Sequence, residues 1–215
     1  PIFGNEVLDA MPVKLLSRVQ GVWHERGVAL HEGQLHWADR PTAARPPCDI
    51  QGTHDYLTEI QPQAEAFVAS LAERLLASER GGAAFFLDYG FPEAEFFHPQ
   101  RHMGTVMCHQ AHQSDMNPLA SVGLKDITAH VNFTGIALAG QDAGLNVLGY
   151  TSQARFLLNL GLAERMAASP LAERAQAMKL ISEHEMGELF KVVGFATHDH
   201  WQAQGFVAGD RSHRL

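Results

Sequence analysis

The chain has 215 residues, 46% hydrophobic and 19% charged, with a formal net charge of -8. This composition suits one globular unit with a substantial core and excludes a disordered or fibrous protein. The acidic balance excludes a nucleic-acid backbone as principal partner, which needs clustered Lys and Arg, and leaves a basic peptide as the better electrostatic match.

No apolar run approaches the roughly 20 residues that a membrane span needs. Cys48 and Cys108 are too few for a disulfide framework and too far apart for a metal knuckle, which points to a reducing compartment. The chain opens Pro1-Ile2-Phe3-Gly4-Asn5-Glu6, apolar residues running straight into polar ones as where a buried strand meets its functional end. This reads as a start inside a domain.

Beyond that strand, Val7 to Leu16 is expected to form a short helix or turn, and Val22 to Trp37 a hairpin closed near His31-Glu32-Gly33. Arg40 to Pro47 reads as a loop. Ala64, Phe67, Val68, Leu71 and Leu75 fall on one face of a helix that Gly81-Gly82 stops. Ala83 to Leu87 is an uninterrupted apolar run ending at Asp88-Tyr89-Gly90, the pattern of a buried parallel strand. The stretch from Phe91 to Lys125, rich in His, Gln, Met and Pro, shows no clear period and reads as an elaborated loop region. Asn132 to Gln141 is expected to be helical, Leu145 to Tyr150 a strand and Ser152 to Leu160 a helix. Ser169-Pro170 supplies a helix start, with Leu171, Ala175, Met178 and Ile181 along one face, and Phe190 to Ala196 closes the pattern as a strand.

Alternating strands and helices make an α/β sheet with helices on both faces the expected class. In such sheets ligands sit outside the C-terminal ends of the strands, which is where Asn5, Glu6 and Asp88 fall.

Several motifs resemble one family. Asn5-Glu6-Val7-Leu8-Asp9-Ala10-Met11-Pro12-Val13 is similar to the "NExxDAxPV" signature of MidA-type S-adenosylmethionine-dependent protein arginine methyltransferases, which follows the fourth strand of a class I methyltransferase. Further matches keep the family's order: Trp23-x-Glu25-Arg26-x-Val28, Asp88-Tyr89-Gly90, Arg101-x-x-Gly104-Thr105, His112-x-x-x-Asp115-x-x-Pro118, Gly123-x-x-Asp126 through Phe133, Gln153-x-x-Phe156-Leu157 and Met186-Gly187-x-x-Phe190-Lys191-Val192. The resemblance covers nearly the whole chain; the tail after about Asp199 carries no motif of the family. It implies a class I, Rossmann-like sheet with an inserted hairpin and long substrate-side loops. One departure is informative: no two of the 19 glycines are spaced G-x-G, so the Gly-rich turn that binds S-adenosylmethionine in this family is absent from the 215 residues. The chain is therefore expected to be the portion from the fourth strand onward, with a missing N-terminal segment or another copy covering the exposed sheet edge.

On this resemblance Glu6 is the carboxylate that grips a guanidinium, with Asn5 beside it toward substrate or cofactor. Asn5 and Asp9 are also ordinary turn-capping types, and Asp9 and Asp88 stand as substrate-side candidates. Asp126-x-Thr128-x-His130 forms a second cluster; Thr128 reads as a helix cap, Asp126 as a substrate contact, and His130, with a pKa near neutrality, as acceptor of the proton released on transfer. Thirteen histidines raise a metal question. His98-x-x-x-His102, His109-x-x-His112 and His198-x-His200 each lack a third ligand, and His184-Glu185-Met186-Gly187-Glu188 departs from HExxH, so no metal is expected.

The function implied is methylation of an arginine on a partner protein, as in relatives tied to respiratory complex I assembly. A non-catalytic assembly module and a small-molecule methyltransferase are the alternatives. The location implied is the cytoplasm, with the mitochondrial matrix as alternative.

Overall fold

The computed structural model describes residues 1–111 and 113–215. His112, and with it the His109-x-x-His112 spacing and the start of the His112-x-x-x-Asp115 motif, lies outside the described residues.

Strand β1 (Ile2–Asn5) leads through a turn into β2 (Lys14–Val19), β3 (Val22–His31), β4 (Gln34–Pro41) and, past a loop, β5 (Tyr56–Ile60). The last four form a separate antiparallel sheet ordered β4-β3-β2-β5. Its hairpin closes at Glu32-Gly33, where φ is 50° and 79°. Positive φ at both central residues matches the twist of the two strands. Three boundaries differ from the sequence-based expectation. The region assigned to helix or turn is a turn only to Val13, its last residues Lys14 to Leu16 opening β2; β4 runs into the segment read as a loop, and β5 has no expected counterpart. Glu59, buried within β5, breaks the apolar signature a strand of this length would otherwise show.

Helix α1 (Pro62–Leu76) and β6 (Ala83–Phe91) follow, then α2 (Glu93–Phe96). Where irregular loop was expected, β7 (Met107–Gln110) and β8 (Gln113–Asp115) form, and with β9 (Asp126–Thr128), just beyond that stretch, they make a small antiparallel sheet ordered β8-β7-β9. Its strands are too short for a period to emerge. The chain continues through β10 (Val131–Asn132), α3 (Phe133–Asp142), β11 (Asn146–Ser152), α4 (Gln153–Asn159), α5 (Leu162–Ala168), α6 (Leu171–Ile181), a π-helical turn at Glu183–Gly187, and β12 (Phe190–Ala196).

The main sheet is ordered β1-β6-β12-β11, with β10 extending the pairing on β6. β1 and β6 are parallel, and β12 lies antiparallel between β6 and β11. Helices cover both faces. Val68, Ala72 and Leu75 of α1 and Phe133 and Ile136 of α3 pack on Ala84, Phe86, Val193 and Phe195. On the other face Phe156 of α4 and Phe206 pack on Phe85, Leu87 and Val192. Burial of these side chains from both sides is what fixes an α/β sheet.

Ser152 caps α4, its hydroxyl accepting from Arg155 N at 3.4 Å. Ser169 does not cap α6; its hydroxyl donates to Arg165 O, and Pro170 stands before the first helical residue. The face of α6 expected to be buried is exposed, Leu171 at 81%. Phe156, Val192 and Phe206 already fill that side of the sheet, so α6 stacks outside on α4.

Gly90 pairs with Val131 in register. A Cβ there would lie 2.0 Å from Val131 O and 2.7 Å from Val131 N, backbone atoms that cannot retreat without unpairing β10 from β6. We expect Gly90→Ala to destabilise by about 3 kcal/mol or more. Gly27→Ala on the exposed hairpin, where an added methyl meets nothing nearer than 3.9 Å, should cost under about 1 kcal/mol. Urea midpoints of the two variants check this.

Candidate active site

β1 and β6 run parallel, so their C-terminal ends, Asn5-Glu6 and Asp88-Tyr89, arrive at the same edge of the sheet. Asp88 is only 1% exposed. Its Oδ2 accepts from the backbone N–H groups of Val7 (3.2 Å), Leu8 (2.9 Å) and Asp9 (3.2 Å), and its Oδ1 from that of Tyr89 (3.0 Å). The segment leaving β1 is thus wrapped around one buried carboxylate. Burial, and next the charge of Asp9, push the Asp88 carboxyl up to about 7, against the opposing pull of these N–H donors. Glu6, at the head of the wrapped segment, has φ 50°. A left-handed non-glycine residue of this kind is strained and concentrates at functional sites. Its N–H donates to Leu87 O at 2.9 Å, which holds that conformation.

A second buried carboxylate fixes the opposite wall. Glu59, 1% exposed, accepts from Thr105 N at 2.7 Å, from Val106 N at 3.2 Å and from the Thr105 hydroxyl at 3.2 Å. Burial raises its carboxyl above the ordinary range. Gly104 precedes this loop at φ +72°, and a Cβ there would sit 2.5 Å from Glu59 Oε1. The Thr105 hydroxyl in turn accepts from His130 N at 3.0 Å.

Between these walls lies a cavity of about 450 Å³ lined by Glu6, Asp9, Tyr89, Asp126, His130 and Phe190, with Ala10, Thr105, Met107, His109, Thr128 and Leu189 completing it. Neither Lys nor Arg is among them. Asp9 is 4% exposed; its Oδ2 accepts from the Tyr89 hydroxyl at 2.7 Å, while its Oδ1 has no partner among the described residues. The Nδ1 of His130 is likewise buried without a partner. The His130 ring meets Tyr89 edge-on at 5.2 Å and Phe91 at 5.2 Å. Burial, reinforced by the positive charges of Arg101 and Lys191, holds its pKa down at about 4. The expectation of a near-neutral pKa is corrected: His130 is an uncharged ring at physiological pH. One carboxylate oxygen and one ring nitrogen, whose role as donor or acceptor its tautomer sets, are the buried polar atoms this lining leaves unpaired among the described residues. The cavity lining is acidic, with Glu6, Asp9 and Asp126 in it.

Of the residues singled out from sequence, Glu6, Asp9, Asp126 and His130 line this one cavity. Asn5 is exposed beside it, its side-chain N–H donating to Glu6 Oε1 at 3.2 Å. Asp88 lies beneath the floor, spending its oxygens on backbone. Thr128 is a strand residue at the wall rather than a helix cap, because β9 and not a helix runs through it. Tyr89 and Thr105 carry roles that residue type alone does not suggest, although both fall inside motifs quoted above. Glu59 lies in none of them. Among the described residues no group of three or more His, Cys, Asp or Glu side chains is arranged to hold a metal, and no helix is long and apolar enough to cross a membrane.

A family model described as "Putative S-adenosyl-L-methionine-dependent methyltransferase" matches residues 1–151. Among curated proteins, the mitochondrial protein arginine methyltransferase NDUFAF7 homolog of Caenorhabditis elegans is 26% identical over 192 residues, 85% of this chain and 43% of that protein. The corresponding homolog of Drosophila melanogaster is 26% identical over 208 residues, 88% and 45% of the two chains. A Burkholderia thailandensis structure solved bound to S-adenosyl-homocysteine superposes with a TM-score of 0.91 at 45% identity, covering 99% of this chain and 57% of the other. A native structure of the same superfamily and organism gives 0.92 at 46% identity, with 99% and 59% covered. The chain thus spans about half the length of the relatives it matches.

The two shifted groups of the site predict opposite pH dependences. An unfolded His titrates near about 6.5, so the depressed His130 lets stability fall as pH drops from there toward 4. Asp88, raised from 3.8 to about 7, lets stability fall as pH rises between those values. In urea midpoints from pH 4 to 8, His130→Gln should make stability fall more steeply, and Asp88→Asn make it rise more steeply, as pH climbs from 4 to 7. Profiles parallel to that of the unaltered chain would count against both assignments.

Proposed function

Because this chain belongs to the family of S-adenosyl-L-methionine-dependent methyltransferases, we propose that it is the substrate-facing part of an enzyme that methylates an arginine of a partner protein. The observation carrying this reading is the acidic cavity at the strand ends, with Glu6, Asp9 and Asp126 in its lining, no basic side chain, and buried acceptor atoms left open. Such a site attracts a cation and rewards one with several N–H donors, which a guanidinium supplies in a planar fork. The relatives named as arginine methyltransferases support the same substrate.

The cofactor supplies an electrophilic methyl group; the residues of this chain hold the nucleophile. Glu6 is proposed to take two guanidinium N–H groups and turn the third nitrogen toward the donor. Asp9, held in place by the Tyr89 hydroxyl, offers Oδ1 to a further N–H. His130 contributes an uncharged acceptor, and at its low pKa it does not take the proton released when the new N–C bond forms. That proton passes to solvent along the exposed carboxylates Glu6 and Asp126. Asn5 orients Glu6 and stands toward the cofactor. Positioning and charge stabilisation are most of what an in-line methyl displacement asks of a protein.

The lining also fits the sulfonium end of the cofactor, since the same carboxylates and the faces of Tyr89 and Phe190 favour a cation. Its adenosine end is proposed to rest on residues outside these 215, because no G-x-G turn occurs within them. β1 is the terminal strand of the main sheet, with Phe3 66% exposed, and the same outside segment is proposed to cover it. A partner in respiratory complex I assembly is the substrate this family reading favours. The two curated relatives are named as mitochondrial; for this chain we place the reaction in the cytoplasm, with the mitochondrial matrix as alternative.

Glu6→Gln in the complete protein should lower methyl transfer at least about a hundredfold, on the order of 2.7 kcal/mol, while cofactor affinity by calorimetry stays within threefold. Mass spectrometry of co-purified proteins should then lose methylarginine. Tight cofactor binding with no methylarginine in any partner of the unaltered protein would point instead to a small-molecule substrate, and no cofactor binding at all to an assembly module.

A further inference from the structure

The β3–β4 hairpin runs past the rest of its sheet. β2 pairs with β3 only over residues 22–26, so the part of the hairpin beyond them is a two-stranded ribbon, exposed along its length. β4 is the terminal strand and has a free edge among the described residues. Val28, Leu30, Leu35 and Trp37 stand on one face of this ribbon, as the pairs Val28↔Trp37 and Leu30↔Leu35, and are 52%, 71%, 38% and 40% exposed. Between residues 27 and 38 the only charged side chain is Glu32, and there is no proline. The charges at the base of the ribbon are taken up across the strands, Arg26 by Asp39 and Arg40 by Glu25. Charges and prolines are what keep an edge strand from pairing with another chain, and the outer half of β4 has neither.

Register identifies what pairs there. The two-residue turn makes His31↔Gln34 a hydrogen-bonded pair, and alternation along the ladder turns the backbone groups of Leu35, Trp37 and Asp39 toward the free edge. A second copy's β4, laid antiparallel about a two-fold axis at His36, brings Leu35 of each copy opposite Trp37 of the other, so these outward groups bond one another. The apolar face then continues across the axis in two rows of four, Val28 and Trp37 of one copy followed by Leu35 and Leu30 of the other. On the opposite face Arg40 of each copy comes level with Glu32 of the other. Both side chains are free to reach across, Arg40 being 75% and Glu32 85% exposed. Moving the axis to Trp37 would set Leu35 against Asp39 and lose the match of Arg40 with Glu32. A chain of net charge -8 repels its own copy over most of its surface. The ribbon is where that repulsion is weakest and where opposite charges meet.

We propose that the β3–β4 ribbon is a homodimer interface, in which β4 pairs antiparallel with β4 of a second copy about a two-fold axis at His36. The two four-stranded sheets become one sheet of eight. Each copy contributes the same patch to such an interface, which closes the assembly at two. The interface stands whether or not methyl transfer occurs.

The test is made on the complete protein, by sedimentation velocity over a concentration series and by cysteine crosslinking. A dimer is expected, and Leu35→Glu, which puts a carboxylate into each apolar row, should weaken it about tenfold or more. Leu171→Glu, at an 81% exposed position on α6, should leave the dimer constant within about twofold. In the proposed register the two His36 side chains meet as a non-hydrogen-bonded pair, close enough for a disulfide. Under mild oxidation His36→Cys should therefore run as a covalent dimer on a non-reducing gel. Ala29→Cys, equally exposed on the same face but separated from its mate by roughly 14 Å of intervening strands, should stay a monomer there, as should the unaltered protein with Cys48 and Cys108. A protein that sediments as a monomer at every concentration would overturn the proposal and leave the ribbon to a different occupant. A dimer that Leu35→Glu leaves intact would also overturn it, by placing the contact on another surface, and so would equal crosslinking at positions 29 and 36. Should Leu35→Glu fail to fold by circular dichroism, the comparison of His36→Cys with Ala29→Cys decides.

Discussion

One buried carboxylate sets the position of nearly everything that faces the cavity. Asp88 gathers the N–H groups of Val7, Leu8 and Asp9 at the moment the chain leaves β1, and by doing so it dictates where Glu6 and Asp9 point. A side chain does here what a ladder of backbone bonds does inside a sheet, with the advantage that an irregular loop is held without being regular. The acceptor works because it is inaccessible to water, and the same inaccessibility lifts its pKa. Glu59 repeats the arrangement on the facing wall, holding the Thr105 loop and through it the backbone of His130. The two clamps meet where Ala129 N donates to Asp9 O at 2.9 Å.

This construction separates two uses of carboxylates that residue type alone cannot distinguish. Asp88 and Glu59 are saturated by internal donors and serve as structure. Glu6, Asp9 and Asp126 instead line the cavity, where the first and last of them meet solvent. A charged side chain costs little where water reaches it and much where it is buried unpaired. Asp9, buried with one oxygen bonded to Tyr89 and the other open among the described residues, stands between these two uses.

How much of this was legible in the sequence follows from the same distinction. The long-period elements α1 and α3, and the apolar run of β6, could be read because burial of a whole face leaves a pattern. β12 could be read from Phe190 to Ala196, every residue of which is buried. The small β7–β9 sheet and β5 could not: strands of three to five residues carry too few positions for a period, and β5 spends one of its positions on the Glu59 clamp. Glu6, Asp9, Asp126 and His130 were reachable because they sit in motifs at strand ends. Glu59 was not, because its role exists only once the Thr105 loop folds over it. For His130 the residue was legible and its protonation state was not, since the depressed pKa comes from Tyr89, Phe91 and two distant cations assembled by the fold.

A single side chain holds the backbone beneath one wall of the strand-end cavity. Gln61 Nε2 donates to His130 O at 2.8 Å, and its Oε1 accepts from Asn132 N at 2.8 Å, so this buried amide pairs with the segment 130–132 as a neighbouring strand would. His130 faces the cavity, and Asn132, the second residue of β10, points to the cleft between α1 and α3. Gly90 admits β10 only at the tightest approach, which leaves this segment no freedom to shift toward β6. The backbone from His130 to Asn132 is therefore held on one side by Gln61 and on the other by β6. Close packing makes such a link stiff rather than yielding. The placement of the His130 backbone is for that reason set in part by the residue immediately before α1.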